Sequence, residues 1–273
     1  MLIYNSKNMF ISIVTVVYNG EKTIRRTIES VLCQEFKDYE YIIVDGLSKD
    51  NTVNIAKEYE ERFEGRLRIY SERDKGIYDA MNKGIKLAKG DYIWLVNADD
   101  WIAPDALNSI FSFHKERNLD FAQIIQGGIN IRQSDDLLIK YSAIPKGDEH
   151  FAEKSRKLQM GIIHPAVVVP QKVYDEVGLY DDRYYISADV DFAIRCYRKG
   201  VKIVNIQSVL TNMSDGGISN MLPIRKNWHD WNLRYDKFCK NKFQKIHYLS
   251  VSLAKLLVRK YFPERIVKKF LGQ

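Results

Sequence analysis

Two adjacent carboxylates, Asp99 and Asp100, follow a hydrophobic segment that ends at Val96. In open α/β sheets a ligand binds beyond the carboxyl ends of the strands, so acids at such an end lie beside it. Carboxylate oxygens suit Mg²⁺ or Mn²⁺, which proteins commonly hold through one or two acids and the phosphates of a substrate. The same pair is also typical of an Asp-rich turn that caps the next helix, so the pair alone leaves both interpretations open.

Polar groups also follow three earlier hydrophobic segments. Thr15, Tyr18 and Asn19 belong to the first such end, Asp45 to the second, and the turn at residues 73–76 to the third. Parallel strands would bring all these groups to one edge of a sheet, where they would line one crevice. Asp45 can accept the imide N–H of a uracil and Tyr18 can stack on its ring, although a helix-capping role for Asp45 is the alternative.

Strands and helices alternate through the first hundred residues. Hydrophobic runs predict strands at residues 10–17, 39–44, 66–71 and directly before the Asp pair, with helices at 22–34, 53–62 and 78–88 between them. This alternation implies an α/β fold with a doubly wound, mostly parallel sheet and helices on both faces. Residues 10–100 therefore have the pattern of a nucleotide-binding unit, although a fold alone does not fix a function.

The second half of the chain is less regular. Residues 121–132 are predicted as strands of a hairpin or meander, and residues 135–157 as polar and loop-rich. Further strands are predicted at residues 164–169 and 201–206, and helices at 106–116, 171–177 and 189–199.

Composition limits the classes of protein to consider. The chain has 273 residues, of which 45% are hydrophobic and 28% charged, as expected for one large folded domain or a domain with an extension. No apolar run approaches a spanning helix and residues 1–10 lack a signal peptide's pattern, so we expect a cytoplasmic location. Three cysteines without metal-ligand spacing indicate reduced thiols.

The net charge of +7 is concentrated at one end of the chain. From Arg225 onward there are thirteen Lys or Arg and three acids, so this part carries +10 and the rest −3. Because the basic charge is confined and no nucleic-acid-binding module is recognisable, we expect no nucleic-acid partner. Aromatic residues alternate with basic ones after residue 227, which predicts basic amphipathic helices at the inner face of the cell membrane. The alternative is a helical extension packed on the main domain or on another subunit of a homo-oligomer.

The motifs at residues 14–19, 41–52, 72–84 and 97–100, in this order and spacing, resemble those of the family 2 glycosyltransferases, the inverting group with the GT-A fold. The resemblance covers roughly residues 10 to 215. It implies a nucleotide-sugar donor, most often linked to UDP, with Asp99 and Asp100 serving Mn²⁺ or Mg²⁺ and the diphosphate. His164, at a predicted strand start, is a further metal candidate. The implied donor-binding residues are Thr15, Tyr18, Asn19, Asp45, Lys75, Gly76, Asn97 and Ala98.

The same resemblance assigns a catalytic base. Residues 186–195 match the family's acidic motif before a helix, and Asp189 stands at the position of the base. Inverting transfer needs a carboxylate that takes the proton of the acceptor hydroxyl, while the metal neutralises charge on the leaving diphosphate. The alternatives are an N-cap role for Asp189 and a base at Asp191, although Asp191 would face another side of the helix. Arg195 is expected to pair with a nearby acid.

Some residues depart from the family's pattern. Asn97 stands where an acid is common, Ala188 where Glu is frequent, and Leu47 and Lys49 where small residues follow the donor Asp. The donor Asp, the metal Asp and the base are all present. The departure at Asn97 leaves the metal dependent on Asp99, phosphate and water.

The resulting expectation is a hexosyltransferase-type enzyme. It would move a sugar from a nucleotide sugar to a hydroxyl of a saccharide or lipid-linked saccharide in cell-envelope polysaccharide synthesis. Residues 1–222 would form the GT-A domain, with a donor half at 10–100 and an acceptor half at 101–222, and residues 223–273 the basic helical extension. A nucleotidyltransferase would want a glycine-rich basic loop after the first strand, which residues 18–21 do not supply. A non-catalytic nucleotide-sugar-binding protein is the other alternative.

Overall fold

The computed structural model describes residues 9–132, 139–214 and 223–261. It confirms an α/β fold built on one sheet, whose strands follow the order β3-β2-β1-β4-β8-β6-β9-β5, with β7 paired to β6. The strands are β1 (Ile11–Val17), β2 (Tyr39–Asp45), β3 (Leu67–Ser71), β4 (Tyr92–Leu95), β5 (Trp101–Ile102), β6 (Ile124–Arg132), β7 (Ile139–Ala143), β8 (Val167–Pro170) and β9 (Ile203–Ser214).

The first four strands form the parallel part of the sheet. Every residue of β1 and β2 is buried, as β-branched runs require when helices cover both faces. β1 pairs in parallel with β2 and with β4, and β2 pairs in parallel with β3. Val17 lies opposite Asp45 and Asp45 opposite Ser71, so three strands end at the same level.

Helices cover both faces of this sheet, as predicted. Ile11 and Ile13 of β1 join a core cluster with the buried residues of α1 and α4, while Val14 and Val16 join a cluster on the other face with α3, α6 and α7. The helices in the main body are α1 (Ile24–Leu32), α2 (Thr52–Lys57), α3 (Ile77–Leu87), α4 (Ala106–Arg117), α5 (Asp148–Arg156), α6 (Gln171–Val177) and α7 (Ala188–Arg198).

The second half joins the sheet with mixed directions. β8 runs antiparallel to β4 and β6, whereas β6 and β9 are parallel. Residues 135–157 were predicted to be loop-rich, but they include β7 and α5. The sequence of α5 is mostly polar, and the helix is anchored by its buried residue Phe151. β9 continues beyond the predicted strand at 201–206 as far as Ser214, and polar side chains of this added part have partners across the sheet, since Asn130 and Arg132 donate to Asn212 Oδ1.

Two helices follow the main body, α8 (Ile224–Phe238) and α9 (Lys242–Tyr261). α8 packs on the main body through Tyr235 and Phe238, which share a cluster with Ile194 of α7. α9 packs on α8, where the hydroxyls of Tyr235 and Ser252 lie 2.6 Å apart. α8 is therefore a helical extension packed on the main domain, as one of the two alternatives predicted. Residues 262–273 lie outside the described part. Within the described ranges, no helix has the length and hydropathy that a membrane span needs.

Candidate active site

Strand register brings the predicted site segments to one edge of the sheet. Asp45 is level with the end of β1. The Val96 N–H donates to the Val14 carbonyl, which places residues 97–100, here called the Asp turn, beside the ends of β1 and β2. β8 runs antiparallel to β4, with Val168 opposite Trp94, so the residues before β8, including His164, approach the same edge. The predicted convergence of the strand ends is thus observed.

Asn19 ties together the loops that follow β1 and β2. Its backbone N–H donates to the Ser48 hydroxyl, and its side-chain oxygen accepts from the Lys49 N–H, both at 2.8 Å. The residue has a left-handed backbone (φ 52°), which Asn tolerates better than most residues. Beside it, Tyr18 leaves 60% of its surface exposed, so its ring is free to stack on a ligand.

Asp45 is almost fully buried, with 1% of its surface exposed. Its Oδ2 accepts hydrogen bonds from the Ser71 hydroxyl (2.6 Å) and the Ser48 N–H (3.1 Å). Its Oδ1 makes a longer contact of 3.4 Å with that N–H. The N–H at the start of α2 is instead accepted by Asp50, so the helix-capping interpretation of Asp45 is wrong.

Three strand-end loops meet at Gly46. A Cβ added to Gly46 would lie 2.8 Å from Asp74 Oδ2 and 3.4 Å from Cδ2 of Tyr18, so glycine permits this close approach. Burial raises the pKa of Asp74, and Lys83 donates to its carboxylate at 2.7 Å. The predicted residues Lys75 and Gly76 line a neighbouring cavity of about 510 Å³, together with Tyr78, Arg183, Tyr185 and His229.

Two predicted donor residues have buried side chains. Thr15 is fully buried in β1, where its hydroxyl accepts a hydrogen bond from Tyr41 at 3.1 Å. The prediction that Thr15 contacts the donor is corrected on this ground, because its side chain faces the core cluster rather than the edge. The side chain of Ala98 is also buried, and its carbonyl accepts from the Thr27 hydroxyl.

The Asp turn is held in place by hydrogen bonds that its backbone carbonyls accept from side chains of α1. Thr27 of α1 donates to the carbonyls of Ala98 (2.9 Å) and Asp100 (2.6 Å), and Arg26 donates to that of Asp99 (3.0 Å). The Asp100 carboxylate is buried and accepts from Asn97 Nδ2 at 3.2 Å. Burial, together with the charge of Asp99, raises the pKa of Asp100 to about 8. Asp100 therefore lies in the interior of the turn, and its assignment as a metal ligand stays a prediction.

The oxygens at this turn suit a hard divalent cation. Asn97 Oδ1 is buried and accepts no hydrogen bond within the described residues, and the half-buried carboxylate of Asp99 stands two residues away. A metal with phosphate and water ligands needs few protein oxygens, so the pair fits Mg²⁺ or Mn²⁺. Among residues 9–132, 139–214 and 223–261, no group of three or more His, Cys, Asp or Glu is arranged to hold a metal.

Among the described residues His164 belongs to no group of three or more metal-ligating side chains, and its assignment as a metal ligand stays a prediction. It lines a small apolar cavity with Leu95 and Phe192 and lies edge-on to Tyr180. Burial lowers its pKa, an effect that the negative charge of Asp189 opposes. His164 is thus a neighbour of the predicted base, and its Nε2 has no hydrogen-bond partner in the described part of the chain.

Asp189 lies half-buried at the start of α7. Burial raises its pKa, while the positive potential of His164 and Arg234 opposes that shift. Burial and the charge of Asp189 in turn raise the pKa of Tyr78 well above its usual value, so this tyrosine stays neutral beside the carboxylate. A carboxylate with a raised pKa accepts a proton near neutral pH more readily than an ordinary one.

Asp191 has a different environment from Asp189. It is fully buried and bonds Arg195 Nε at 2.7 Å, Lys237 Nζ at 2.6 Å and the Tyr184 hydroxyl at 3.2 Å. The predicted pairing of Arg195 with a nearby acid is confirmed. These three partners give Asp191 a structural role and argue against it as the base.

Several residues of the site were missed from sequence. Arg26 and Thr27 lie on α1, where a basic residue beside a threonine looks like an ordinary helix surface. Asp230 of α8 accepts backbone N–H groups from the segment before Asp189, at a separation of more than forty residues. No local pattern marks such contacts. The sequence carried a weak indication for Tyr78, since it lies within residues 72–84, one of the segments that resemble the family's motifs.

Comparison with known proteins identifies the family. The family model described as "Glycosyl transferase family 2" matches residues 12–177. A "PGL/p-HBAD biosynthesis glycosyltransferase" of Mycobacterium bovis is 28% identical over 222 residues, which cover 77% of this chain and 79% of the relative.

Two solved structures share the fold. One is S. aureus TarS 1-349 in complex with UDP-GlcNAc, with a TM-score of 0.69, 18% identity, and coverage of 88% of this chain and 69% of that one. The other is GalNAc-T7 with UDP, GalNAc and Mn²⁺, with a TM-score of 0.58, 16% identity, and coverage of 77% and 45%. The predicted GT-A fold is confirmed.

The ion pairs of Asp191 predict a loss of stability on mutation. Asp191→Asn leaves Arg195 without a charged partner and Lys237 with only its 3.7 Å contact to Asp181, and we expect the free energy of unfolding to fall by about 3 kcal/mol in urea titrations. The control is Asp236→Asn on α8, whose carboxylate is largely exposed and whose pair with Lys245 should contribute less than about 1 kcal/mol. Wild-type stability combined with lost activity in Asp191→Asn would instead identify Asp191 as a reacting group.

Proposed function

Because this chain belongs to glycosyl transferase family 2, we propose that it transfers a sugar from a UDP-linked donor to a hydroxyl of a saccharide acceptor with inversion at the anomeric carbon. The observation that carries the proposal is the arrival of Asp45, the Asp99 turn and the residues before β8 at one sheet edge, with Asp189 beside His164. The UDP-GlcNAc in the TarS structure supports the choice of donor.

Asp45 and Tyr18 recognise the base of the donor in this proposal. Asp45 Oδ2 is occupied by two serine donors, so Oδ1 is the oxygen that accepts the imide N–H of uracil. The exposed ring of Tyr18 stacks on the base, and Asn19 keeps the two loops in register. Lys75 and Gly76 line the side towards the cavity, while Asn97 and Ala98 border the diphosphate.

Asp99 and Asn97 would hold Mn²⁺ or Mg²⁺ together with the donor's phosphate oxygens. When bound, the metal supplies positive charge that neutralises the leaving diphosphate. The unpartnered Oδ1 of Asn97 supports this role, because a buried amide oxygen without a donor is costly unless a ligand uses it.

Asp189 acts as the general base. Its carboxylate takes the proton of the acceptor hydroxyl while that oxygen forms a bond to the anomeric carbon. The bond from this carbon to the UDP oxygen breaks on the opposite face, and UDP leaves with the electron pair. Burial keeps the carboxylate basic enough to accept the proton, although the positive potential of His164 and Arg234 opposes this effect.

The reaction is tested by measuring free UDP with a panel of nucleotide sugars and saccharide acceptors, with Mn²⁺ or with EDTA. We expect UDP release with one donor, an increase on addition of an acceptor, and loss of most of the rate in EDTA. A nucleotidyltransferase would form pyrophosphate, and a binding protein would release nothing above background. Either of these results would exclude the proposed reaction.

The base assignment predicts that Asp189→Asn lowers kcat by about 10²–10⁴-fold while donor affinity stays within about twofold. The control is Asp175→Asn, an exposed acid on α6. Because the folded pKa of Asp189 is raised, the wild-type rate should fall on acidification at a higher pH than an ordinary Asp, near 4, would give. Transfer that survives in Asp189→Asn would show that another group is the base.

We further propose that α9 lies against an anionic membrane surface at the inner face of the cell membrane, next to a lipid-linked acceptor used in cell-envelope polysaccharide synthesis. Phe243 and Ile246 are 85% and 61% exposed on the face of α9 that turns away from α8, and Leu257 continues that face. Lys242 flanks it, and the basic charge of residues 225–273 is complementary to anionic lipid headgroups and unfavourable for pairing with a second copy.

Vesicle sedimentation tests this contact. We expect binding to phosphatidylglycerol vesicles, little binding to phosphatidylcholine vesicles, and loss of most binding in Phe243→Ser with Ile246→Ser. Met160→Ser, at an exposed apolar residue of the main body, is the control. Unchanged vesicle binding in the double variant, or a concentration-dependent dimer that the double variant abolishes, would contradict the membrane role of α9.

A further inference from the structure

Asp230 of α8 is buried against the segment that leads into α7, with 1% of its surface exposed. Its Oδ1 accepts the N–H of Tyr185 at 2.9 Å. Its Oδ2 accepts the N–H of Ile186 (2.9 Å), the N–H of Ser187 (3.1 Å) and the Ser187 hydroxyl (3.1 Å). One carboxylate therefore holds three consecutive residues, the last of which is two positions before Asp189.

This arrangement fixes the shape of the segment. Three successive N–H groups point at one anion only in a restricted set of backbone conformations, and hydrogen bonds to a charged acceptor are stronger than neutral ones. Ser187, the residue before α7, makes no side-chain cap bond to that helix within the described part of the chain. The anchoring that a local cap would provide comes instead from Asp230 on another helix.

Other residues of α8 contact the same segment. Lys237 pairs with Asp191 at 2.6 Å and with Asp181 at 3.7 Å, so it bridges the two ends of the segment. His229 lies 3.2 Å from the Arg183 carbonyl. α8 thus contacts residues 181–191 over more than two helical turns, and Asp230 is the residue of α8 that holds the segment directly before α7.

We propose that Asp230 is a positioning residue for the catalytic base. It holds residues 185–187 so that the Asp189 carboxylate meets the acceptor hydroxyl in line with the anomeric carbon. The inference rests on the proposed role of Asp189 as the base. It assigns α8, which lies outside the residues matched by the family model, to the catalytic apparatus.

The experiment compares Asp230→Ala with Asp236→Ala, which removes the same charge from an exposed site on the same helix. We expect Asp230→Ala to lower kcat by about 100-fold, since displacement of a reacting group by about 1 Å has an effect of that size. Donor affinity, measured by calorimetry with the UDP-sugar and Mn²⁺, should stay within about twofold of wild type, because Asp45 and Tyr18 are untouched. Asp236→Ala should match wild type in both measurements.

A pH profile separates positioning from general loss of stability. The groups that face Asp189 are Tyr78 of α3, Tyr180, His164 before β8 and Arg234 of α8. Freeing residues 185–187 should admit water to the carboxylate and weaken the burial that raises its pKa. The acid limb of kcat should then move to lower pH in Asp230→Ala, and an unmoved limb would count against positioning.

The outcomes are distinguishable. If folded Asp230→Ala retains kcat within about twofold of wild type, the positioning role is overturned. Should Asp230→Ala fail to fold, Ser187→Ala is measured instead, since it removes a single hydrogen-bond donor to Asp230 Oδ2. A several-fold lower kcat with unchanged donor affinity in Ser187→Ala supports the positioning role, and an unchanged kcat overturns it. Transfer that survives in Asp189→Asn would overturn the base assignment itself rather than the role of Asp230.

Discussion

The parallel pairing of β1 with β2 and with β4 is the constraint on which the rest of the site depends. Since β1 and β2 are buried along their whole length, a shift of one residue would move each side chain into the core cluster on the opposite face, where it would not fit the helices that pack there. The register therefore fixes where Tyr18, Asp45 and the Asp turn emerge. Hydrogen bonds between Asn19, Ser48 and Lys49 then tie the two loops, so the core itself sets the shape of the donor side.

The acids near this edge differ in how many hydrogen-bond and ion-pair partners the protein gives their carboxylates. Asp191 and Asp230 are buried, and each is bound by three or more donors, as a buried charge requires. Asp189 and Asp99, in contrast, make no ion pair within the described residues. A carboxylate that the fold leaves partly unsatisfied remains available for a proton or a cation. In the proposed mechanism, the reacting acids at this edge are thus those that the fold leaves without an ion pair.

Sequence reasoning succeeded where the cause was local. β-Branched runs such as that ending at Val17 can be read directly as buried parallel strands, and the residues that follow them lie at a predictable edge. It failed where tertiary contacts decide. Thr15 looks like a strand-end hydroxyl, yet the alternation of side chains along β1 turns it towards Tyr41 in the core. The surroundings of His164, an apolar cavity and Asp189, likewise could not be deduced from a single sequence.

The contacts of α8 also bear on the order in which the molecule is completed during synthesis. The strands and loops of the donor side are complete by residue 100, whereas Asp230, which holds the residues before Asp189, is translated more than a hundred residues later. Domains fold from the N-terminus as the ribosome releases them. In the proposed mechanism, the strand ends that would bind the nucleotide are therefore synthesised well before the helix that would hold the base in place.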